Sequence, residues 1–472
     1  MRCKETPSLG PPFFPGMPLK PACAIPEAPG VAATITILGG GPAGLAVAHA
    51  ARHRQLPTTL FEAGARLGGT CITYRRGDFS FDSGAHRLHD KDPETTALFK
   101  RLLGGDLRRV DIGSVIWDEG RLLPFPLDAI GLLRHLGPSA FTAAGLDLLR
   151  ARLRGTDGED FESRAVGRYG RRIASRFLLN YSHKLWGLPT DQLSPTVAGN
   201  RLNGLDLRAF LADTVLGGRR QALHLEGAFF YPRLGIGQIT DALVEACDPA
   251  SLHTNSAVTR VLHDGSSVRA VEINGSDVFD VHAVVSTLPL PLLLRLLDPA
   301  PPSEIIDVSK ALRYRHVRLV AMFLDRPSVT EAATVYFPDR RFPFTRIYEP
   351  RVRSADMAPQ GATSLVAELP CQEEDKAWTD NDSAVIELVC RQLEDIAWLR
   401  KGELLDACTR RLVNAYPVLD TGSAARVQAV CRYLGRFGNL HLSGRSGRFV
   451  YGWIHTMMRF GRDVVETLTD ED

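Results

Sequence analysis

The sequence predicts an α/β fold with a first sheet domain, an inserted helical domain and a further domain built on a mixed sheet. Three observations support it. A β-branched strand pattern enters a glycine turn and leaves as a helix over residues 34–52. Leucines recur at helical spacing between residues 126 and 216. Strand patterns return over residues 251–286 and 313–370, which indicates that the helical block interrupts a sheet protein.

The first turn carries the pattern of a dinucleotide site. Gly39 allows a tight turn, Gly41 lets the backbone approach a pyrophosphate, and Gly44 lets the helix pack closely on the strand. Pro42 and Ala43 begin the helix, whose free N–H groups and positive dipole end would face the phosphates. A strand, a phosphate loop and a helix therefore follow in the order such a site requires.

A second apolar strand, residues 58–61, ends at Glu62, the spacing expected for an acid that binds a ribose hydroxyl. A short extension after it adds further expected cofactor contacts: Ala63, Arg66, Gly68, Gly69 and Thr70. The alternative is a glycine turn of an ordinary α/β protein, with Glu62 and Arg66 merely in solvent. The agreement of three spaced features favours the dinucleotide site.

The acid, the arginine and the paired glycines resemble those of glutathione-reductase-like FAD proteins, a class that includes amine oxidases, protoporphyrinogen oxidase and UDP-galactopyranose mutase. The resemblance covers roughly residues 34–465, and its motifs are most similar to those of UDP-galactopyranose mutase-like flavoproteins. It implies FAD as the cofactor. It also implies a glutathione-reductase-like Rossmann FAD domain with an inserted helical domain and a mixed-sheet substrate domain.

Composition shifts and the resemblance together suggest domain boundaries. The expected segments are a proline-rich disordered tail at 1–33, a discontinuous FAD domain at 34–110, 221–298 and 426–468, a helical domain at 111–220 and a substrate-binding sheet domain at 299–425. Helices are predicted over residues 382–399 and 402–415, and a meander of hairpins over 257–285.

The net charge and the cysteine content limit the kinds of partner and the compartment that we expect. The net charge of +2 provides no strong field toward nucleic acid or an acidic membrane. Eight scattered cysteines indicate free thiols in a reducing compartment, and no apolar run is long enough to span a bilayer, so we expect a cytoplasmic protein. No second dinucleotide fingerprint is present, so NAD(P)H or oxygen would have to meet the flavin directly. The oligomeric state stays open.

The segment from Phe79 to His89 resembles the strand and turn that reach the flavin ring in this class, which places His86 against the isoalloxazine. Two alternatives are a metal site formed with His89, which lacks further ligands nearby, and an ordinary core or surface histidine. No metal is expected. Val258 is a further expected cofactor contact, and Cys71 is either a small buried residue or a covalent flavin attachment point.

The segment from Asn180 to Pro189 is similar to a signature in the helical domain that covers the active site of the same class. Lys184 and Trp186 match it, and Arg201 follows downstream. A cationic and aromatic lining suits a polar or anionic substrate. The alternative for Trp186 is a buried anchor at a helix end.

The C-terminal segment matches the mutases in part. Gly444 and Arg445 correspond to a pair that closes over the FAD pyrophosphate, and Tyr451 corresponds to one of two tyrosines that bind the substrate diphosphate. Phe449 stands where the other tyrosine would be, which removes a phosphate donor. The resemblance therefore supports FAD more strongly than a UDP-sugar substrate.

Two residues at the expected flavin edge also depart from the mutases: Trp453 and Ile454 replace an acid and a methionine. Arg346 lies in a segment that resembles a family segment with an arginine over the flavin face, and it is the first candidate for a substrate anion clamp. Its alternative is a surface arginine at a strand edge. Tyr231 and Tyr416, each before a proline, are further candidate lining residues.

These features predict a FAD-dependent oxidoreductase that moves a hydride from a polar, sugar-like or nucleotide-sugar small molecule to flavin N5. One alternative is a redox-neutral sugar-ring mutase that uses reduced FAD. A second alternative is a non-catalytic FAD-binding homologue.

Overall fold

The computed structural model describes residues 34–153, 158–198 and 228–469. The expected tail 1–33 and the candidate residue Arg201 lie outside this part of the chain. The strands are β1 (Ile35–Leu38), β2 (Thr58–Phe61), β3 (Thr73–Arg76), β4 (Phe79–Asp82), β5 (Leu88–His89), β6 (Leu107–Val110), β7 (Ser114–Asp118), β8 (Arg121–Phe125), β9 (Phe229–Pro232), β10 (Leu252–His253), β11 (Val258–His263), β12 (Val268–Ile273), β13 (Asp277–Asp280), β14 (Ala283–Ser286), β15 (Leu297–Asp298), β16 (Tyr314–Leu324), β17 (Thr334–Tyr336), β18 (Arg346–Tyr348), β19 (Thr363–Cys371), β20 (Leu404–Pro417) and β21 (Leu440–Leu442).

The helices are α1 (Pro42–His53), α2 (Pro93–Leu103), α3 (Ala129–Leu153), α4 (Phe161–Ile173), α5 (Asn180–Trp186), α6 (Gly237–Glu245), α7 (Leu290–Leu296), α8 (Ser303–Lys310), α9 (Pro350–Arg353), α10 (Lys376–Thr379), α11 (Asp382–Asp395), α12 (Ser423–Leu434), α13 (Gly444–Gly447) and α14 (Ile454–Thr469). A π-helical segment, Ala174–Leu179, joins α4 to α5.

A parallel sheet of five strands positions the glycine turn. Its order is β10–β2–β1–β14–β21, and β1 lies in the middle with Leu38 opposite Phe61 on one side and Ser286 on the other. Every neighbouring pair in it is parallel. The carboxyl ends of the strands therefore meet at one edge, the edge at which ligands of open α/β sheets bind.

A seven-stranded sheet forms the second large unit, in the order β20–β16–β19–β18–β17–β7–β8. Its central strands β16 and β19 are buried along their whole length. The sheet is antiparallel except where β17 pairs with β7 in parallel. Strands that are buried on both faces have long apolar runs. For this reason the sequence pattern over residues 313–370 predicted β16 and β19 correctly.

Two predicted helical regions are wrong. Residues 402–415 form most of strand β20, because pairing with β16 along their length overrides their helical pattern. Residues 114–125, expected at the start of the helical domain, form the β7–β8 hairpin of the seven-stranded sheet, with its turn at Glu119–Gly120. Glu119 and Gly120 both have positive φ there, the conformation of a tight hairpin turn.

The predicted meander has the right order, but its third strand is shorter than expected. Strands β11, β12 and β13 pair in sequence, and β15 completes their four-stranded sheet. The end of the expected third strand forms a separate buried strand, β14, which pairs with β1 in the parallel sheet.

In the described residues between Ala129 and Trp186 the inserted block is helical. Helix α3 breaks at Gly137, whose φ is +77°, just before Pro138. Helix α5 ends at Gly187, which takes the left-handed conformation of a helix C-terminus. None of the helices in the described ranges combines the length and the apolar character needed to cross a bilayer.

The last helix stabilises the parallel sheet domain by packing on the first. Gly461 of α14 lies against α1 so closely that a Cβ atom added there would be 2.6 Å from the Cβ of Ala46 and 2.8 Å from the nitrogen of Val47. We expect Gly461→Ala to lower the free energy of unfolding by about 1–3 kcal/mol through this clash. Urea denaturation followed by circular dichroism measures it.

Gly145→Ala is the matched control, because this glycine lies on α3 with no atom within 4 Å of its added Cβ. It should raise stability by about 0.5–1 kcal/mol through helix propensity. Equal effects of the two substitutions would contradict the close contact of α1 with α14.

Candidate active site

A cavity of about 400 Å³ opens at the carboxyl edge of the parallel sheet and extends to the seven-stranded sheet. It brings together most of the residues selected from the sequence. Those lining it are Gly39, Gly41, Pro42, Ala43, Glu62, Gly69, Thr70, His86, Arg346, Gly444, Arg445, Tyr451, Trp453 and Ile454. Distant segments of the chain therefore share one site.

The glycine turn has the geometry that its sequence predicts. Gly39 has a φ of +104°, and a Cβ added at Gly44 would lie only 2.0 Å from the carbonyl oxygen of Gly39. At Gly41 the nearest atom to an added Cβ is the Cα of Gly69, 3.8 Å away. No side chain caps the N-terminus of α1, so its first N–H groups remain free for an anion in the cavity.

Two backbone amides orient the Glu62 carboxylate at the end of β2. Its Oε2 accepts a hydrogen bond of 2.7 Å from the N–H of Gly40, and its Oε1 accepts one of 2.8 Å from the N–H of Gly64. The side chain lines the cavity next to the glycine turn. This is the placement that ribose hydroxyl binding requires.

Several predicted cofactor residues support the turn and do not line the cavity. Gly68 has a φ of +112° and lies against Ile72 and Thr240, while Ala63 is exposed. Arg66 is exposed and forms a salt bridge of 3.1 Å with Asp241. Val258 begins β11 and pairs with Ile273, outside the cavity lining.

His86 is half-buried in the cavity wall and uncharged. Burial lowers its pKa to about 3, and the positive charges of Arg445, Arg346 and Arg353 act in the same direction. Its Nε2 lies 3.3 Å from the hydroxyl of Ser83, and Arg353 donates a hydrogen bond of 3.0 Å to its carbonyl oxygen. The imidazole is therefore a neutral group held in a fixed position.

Arg346 does not lie free at a strand edge. Its Nε donates a hydrogen bond of 2.7 Å to Oε2 of Glu368, and one Nη donates at 3.0 Å to the hydroxyl of Tyr416. Burial lowers its pKa, but Glu368 and the neighbouring tyrosines together outweigh that effect and hold the pKa well above its usual range. Arg346 is thus permanently charged and already paired.

Aromatic rings surround the guanidinium end of the cavity. Tyr416 and Tyr451 both line it, with ring centroids 5.9 Å apart. Trp186 lies behind them, 5.5 Å from the Tyr451 ring and 6.2 Å from the Tyr416 ring. Burial raises the pKa of Tyr416 to about 12, so its hydroxyl stays protonated. The other candidate tyrosine, Tyr231, lies outside the cavity and donates to Asp82 at 2.5 Å.

Lys184 lies outside the cavity lining. Its Nζ donates hydrogen bonds of 2.7 and 2.9 Å to the carbonyl oxygens of Phe337 and Asp339. Burial lowers its pKa to about 7. Its position links the helical block to the seven-stranded sheet next to Trp186.

Backbone carbonyls hold Arg445 in place. It donates to the carbonyl oxygens of Ala415 at 2.8 Å and Gly452 at 2.9 Å, and its guanidinium lies 5.5 Å from the Tyr416 ring centroid. Phe449, which replaces a mutase tyrosine, is fully buried, with its ring 5.2 Å from that of Tyr314. Its side chain therefore belongs to the core and does not face the cavity.

Glu368 is the functional candidate that sequence reasoning missed. It is 1% exposed and lies in the middle of a strand of apolar residues. A single acid inside an otherwise apolar run is the signal that could have found it, since a buried charge needs a partner.

Cys71 lines the cavity, but its thiol is a poor nucleophile. It is buried, and burial raises its pKa far above the usual value, helped by the nearby charge of Asp82. Within the described ranges, Asp118, Glu119 and His135 are near enough to share a metal ion. Arg176 already pairs with both of these carboxylates and offsets one of their two negative charges.

Comparison with known protein families identifies the chain. The model of the family "Flavin containing amine oxidoreductase" matches residues 42–431. The chain belongs to this family. Its cofactor is FAD, which fits the uncapped helix N-terminus, the oriented Glu62 and the open approach at Gly41 described above.

Solved structures show the same fold at low sequence identity. A reduced UDP-galactopyranose mutase matches with a TM-score of 0.82 and 20% identity, over 93% of this chain and 96% of that one. A proposed protoporphyrinogen oxidase from Exiguobacterium sp. 255-15 matches with a TM-score of 0.74 and 20% identity, over 94% and 100%.

A curated relative matches over a short stretch. Protoporphyrinogen oxidase 2, chloroplastic/mitochondrial, from Arabidopsis thaliana is 32% identical over 68 residues, which is 14% of this chain and 13% of the relative. These likenesses establish the flavoprotein fold and leave the substrate open.

Neutral His86 predicts a pH dependence of stability. Because its folded pKa of about 3 lies below the ordinary 6.5, the unfolded chain binds the extra proton, and stability falls as pH drops from about 6.5 toward 3. His86→Gln should remove this contribution, so the free energy of unfolding should depend less on pH by up to about 1.4 kcal/mol per pH unit in that window. Urea titrations between these pH values measure both slopes, and identical slopes would contradict a buried neutral His86.

Proposed function

We propose that this flavoprotein is an oxidoreductase that takes a hydride from a polar, sugar-like small molecule. The observation that carries the proposal is the single cavity that joins the glycine turn of the parallel sheet to Arg346, Tyr416 and Tyr451 of the opposite wall. One end has the chemistry of a dinucleotide site. The other end has the aromatic and hydrogen-bonding groups that bind a hydroxylated ring.

The cofactor residues divide by chemistry. The amides after Leu38 and the side chain of Arg445 suit the phosphates, Glu62 suits the ribose, and His86 suits contact with the flavin ring. When bound, FAD supplies two-electron redox chemistry with N5 as the hydride acceptor. Oxygen is the proposed acceptor that reoxidises the flavin after hydride transfer, and NAD(P)H is the proposed reductant for the mutase alternative, which needs reduced FAD.

The chain itself would bind and orient the substrate. Tyr416 and Tyr451 provide ring faces for stacking, and Trp186 packs behind them and limits access of water. Arg346 directs a guanidinium edge into the cavity, and the hydroxyl of Tyr416 is fixed by its hydrogen bond to it. Proximity and orientation are therefore the main contributions proposed for these residues.

A redox-neutral sugar-ring mutase is the second candidate. The fold match to UDP-galactopyranose mutase and the presence of Tyr451 in the cavity favour it. The buried Phe449 and the replacement of the flavin-edge acid by Trp453 weigh against it. For both the oxidoreductase and the mutase, Lys184 and Arg201 of the helical domain are proposed to add positive charge near the substrate.

Anaerobic mixing separates these candidates. The purified yellow protein is mixed with nucleotide sugars and polar metabolites while the flavin absorbance is followed. Bleaching by a substrate supports the oxidoreductase. Turnover only after prior reduction, with no net oxidation, supports the mutase. A protein that binds FAD and shows no spectral response to any of them would indicate a non-catalytic homologue.

Arg346→Ala tests the substrate role. We expect kcat/KM for the substrate found above to fall by roughly 10–100-fold, the range for loss of a hydrogen bond from a charged group. FAD content is measured in parallel to show that the cofactor remains. Arg340→Ala, an exposed arginine outside the cavity, is the control and should leave kcat/KM unchanged. Unchanged KM and kcat in Arg346→Ala would remove this arginine from the mechanism.

A further inference from the structure

Glu368 and Arg346 form a buried ion pair across two neighbouring strands. They are directly opposite in the register of β18 with β19, and the guanidinium contacts Oε2 of Glu368 at 2.7 Å. The side chain of Glu368 is 2% exposed and that of Arg346 is 14% exposed. In this setting the two charges cancel at short range and are little screened by solvent.

The second oxygen of Glu368 holds the loop that precedes His86. Oε1 accepts a hydrogen bond of 2.7 Å from the N–H of Ala85. Gly84 has a φ of +154°, and a Cβ added there would lie 3.4 Å from the same oxygen. Glu368 therefore fixes Arg346 and the His86 loop relative to each other, one with each carboxylate oxygen.

Among the described residues, Glu368 is the acid that pairs with Arg346. The groups that face Arg346 from neighbouring elements are the protonated hydroxyl of Tyr416 and the rings of Tyr181 and Tyr336. His86 is uncharged, whereas Arg445 keeps its positive charge, because its donors bind carbonyl oxygens. The Arg346–Glu368 pair itself is therefore neutral, and Arg445 is a separate cation of the same cavity.

One donor of Arg346 remains available. Its Nε and one Nη bind Glu368 and Tyr416, and the second Nη has no hydrogen-bond partner among the described residues. Since Arg346 lines the cavity, this Nη is the group that a ligand would meet. This Nη is a hydrogen-bond donor of a guanidinium whose positive charge is offset by Glu368.

We infer that Glu368 is a specificity-determining residue: it restricts the ligand atom at Arg346 to a neutral oxygen, a hydroxyl or a carbonyl, and excludes a carboxylate or a phosphate. An anion there would share the guanidinium with a carboxylate only 2.7 Å from it, and like charges in a buried site repel strongly. This inference rests on the proposed function and revises the anion clamp expected from the sequence.

Glu368→Gln tests the inference, because glutamine keeps the shape and can still accept from Ala85 while removing the charge. The probe is inorganic phosphate, titrated into the FAD-loaded protein and followed by the flavin absorbance. We expect the variant to bind phosphate at least about tenfold more tightly than the wild type, and its flavin midpoint potential to become more positive.

Glu349→Gln is the matched control. Glu349 is also fully buried and accepts backbone hydrogen bonds from Val329 and Thr330, but no cation in the described part of the chain forms a salt bridge with it. It should lower thermal stability and leave both the phosphate affinity and the midpoint potential unchanged. Equal changes in the two variants would show that a merely structural effect was measured and would overturn the inference.

Arg346→Gln provides an opposite charge change if Glu368→Gln fails to fold. It leaves the Glu368 charge unpaired, so the midpoint potential should become more negative and phosphate affinity should not rise. A yellow Glu368→Gln protein with wild-type phosphate affinity would overturn this inference alone. A wild-type chain that takes up no FAD would instead overturn the proposed function on which it rests.

Discussion

The close approach of helix α1 to strand β1 is the constraint on which the site depends. The carbonyl oxygen of Gly39 lies where a Cβ of residue 44 would be, so the turn closes only with glycine at that position. This places the uncapped N-terminus of α1 at the carboxyl edge of the parallel sheet. Backbone N–H groups and the helix dipole then favour an anion at this edge, in addition to the charge of Arg445.

The opposite wall, formed by the seven-stranded sheet, carries charged and polar groups in a buried position, where each of them needs a partner. The strands β18 and β19 do so by pairing Arg346 with Glu368 in register, so each charge satisfies the other. Burial of the ring of Tyr416 beside them keeps its hydroxyl protonated. The result is an aromatic surface with a neutral ion pair, opposite the proposed phosphate site.

Features encoded by neighbouring residues could be predicted from the sequence. Features that depend on pairing between distant strands could not. Gly39, Gly41 and Glu62 lie within one local unit, and their geometry agrees with the prediction. Residues 402–415 have a helical pattern, yet they form a strand because β16 offers a long partner. The anion-clamp interpretation of Arg346 failed to include Glu368, 22 positions away, because only the strand register brings them together.

Cofactor content is the most direct test of the account. The wild-type protein and Gly41→Val are purified, incubated with FAD and freed of excess, and the flavin released by denaturation is quantified. The account predicts one FAD per wild-type chain and little in the variant, because a branched side chain would occupy the approach to the amides after Leu38. A colourless wild-type protein that takes up no FAD, or equal FAD in both proteins, would contradict it.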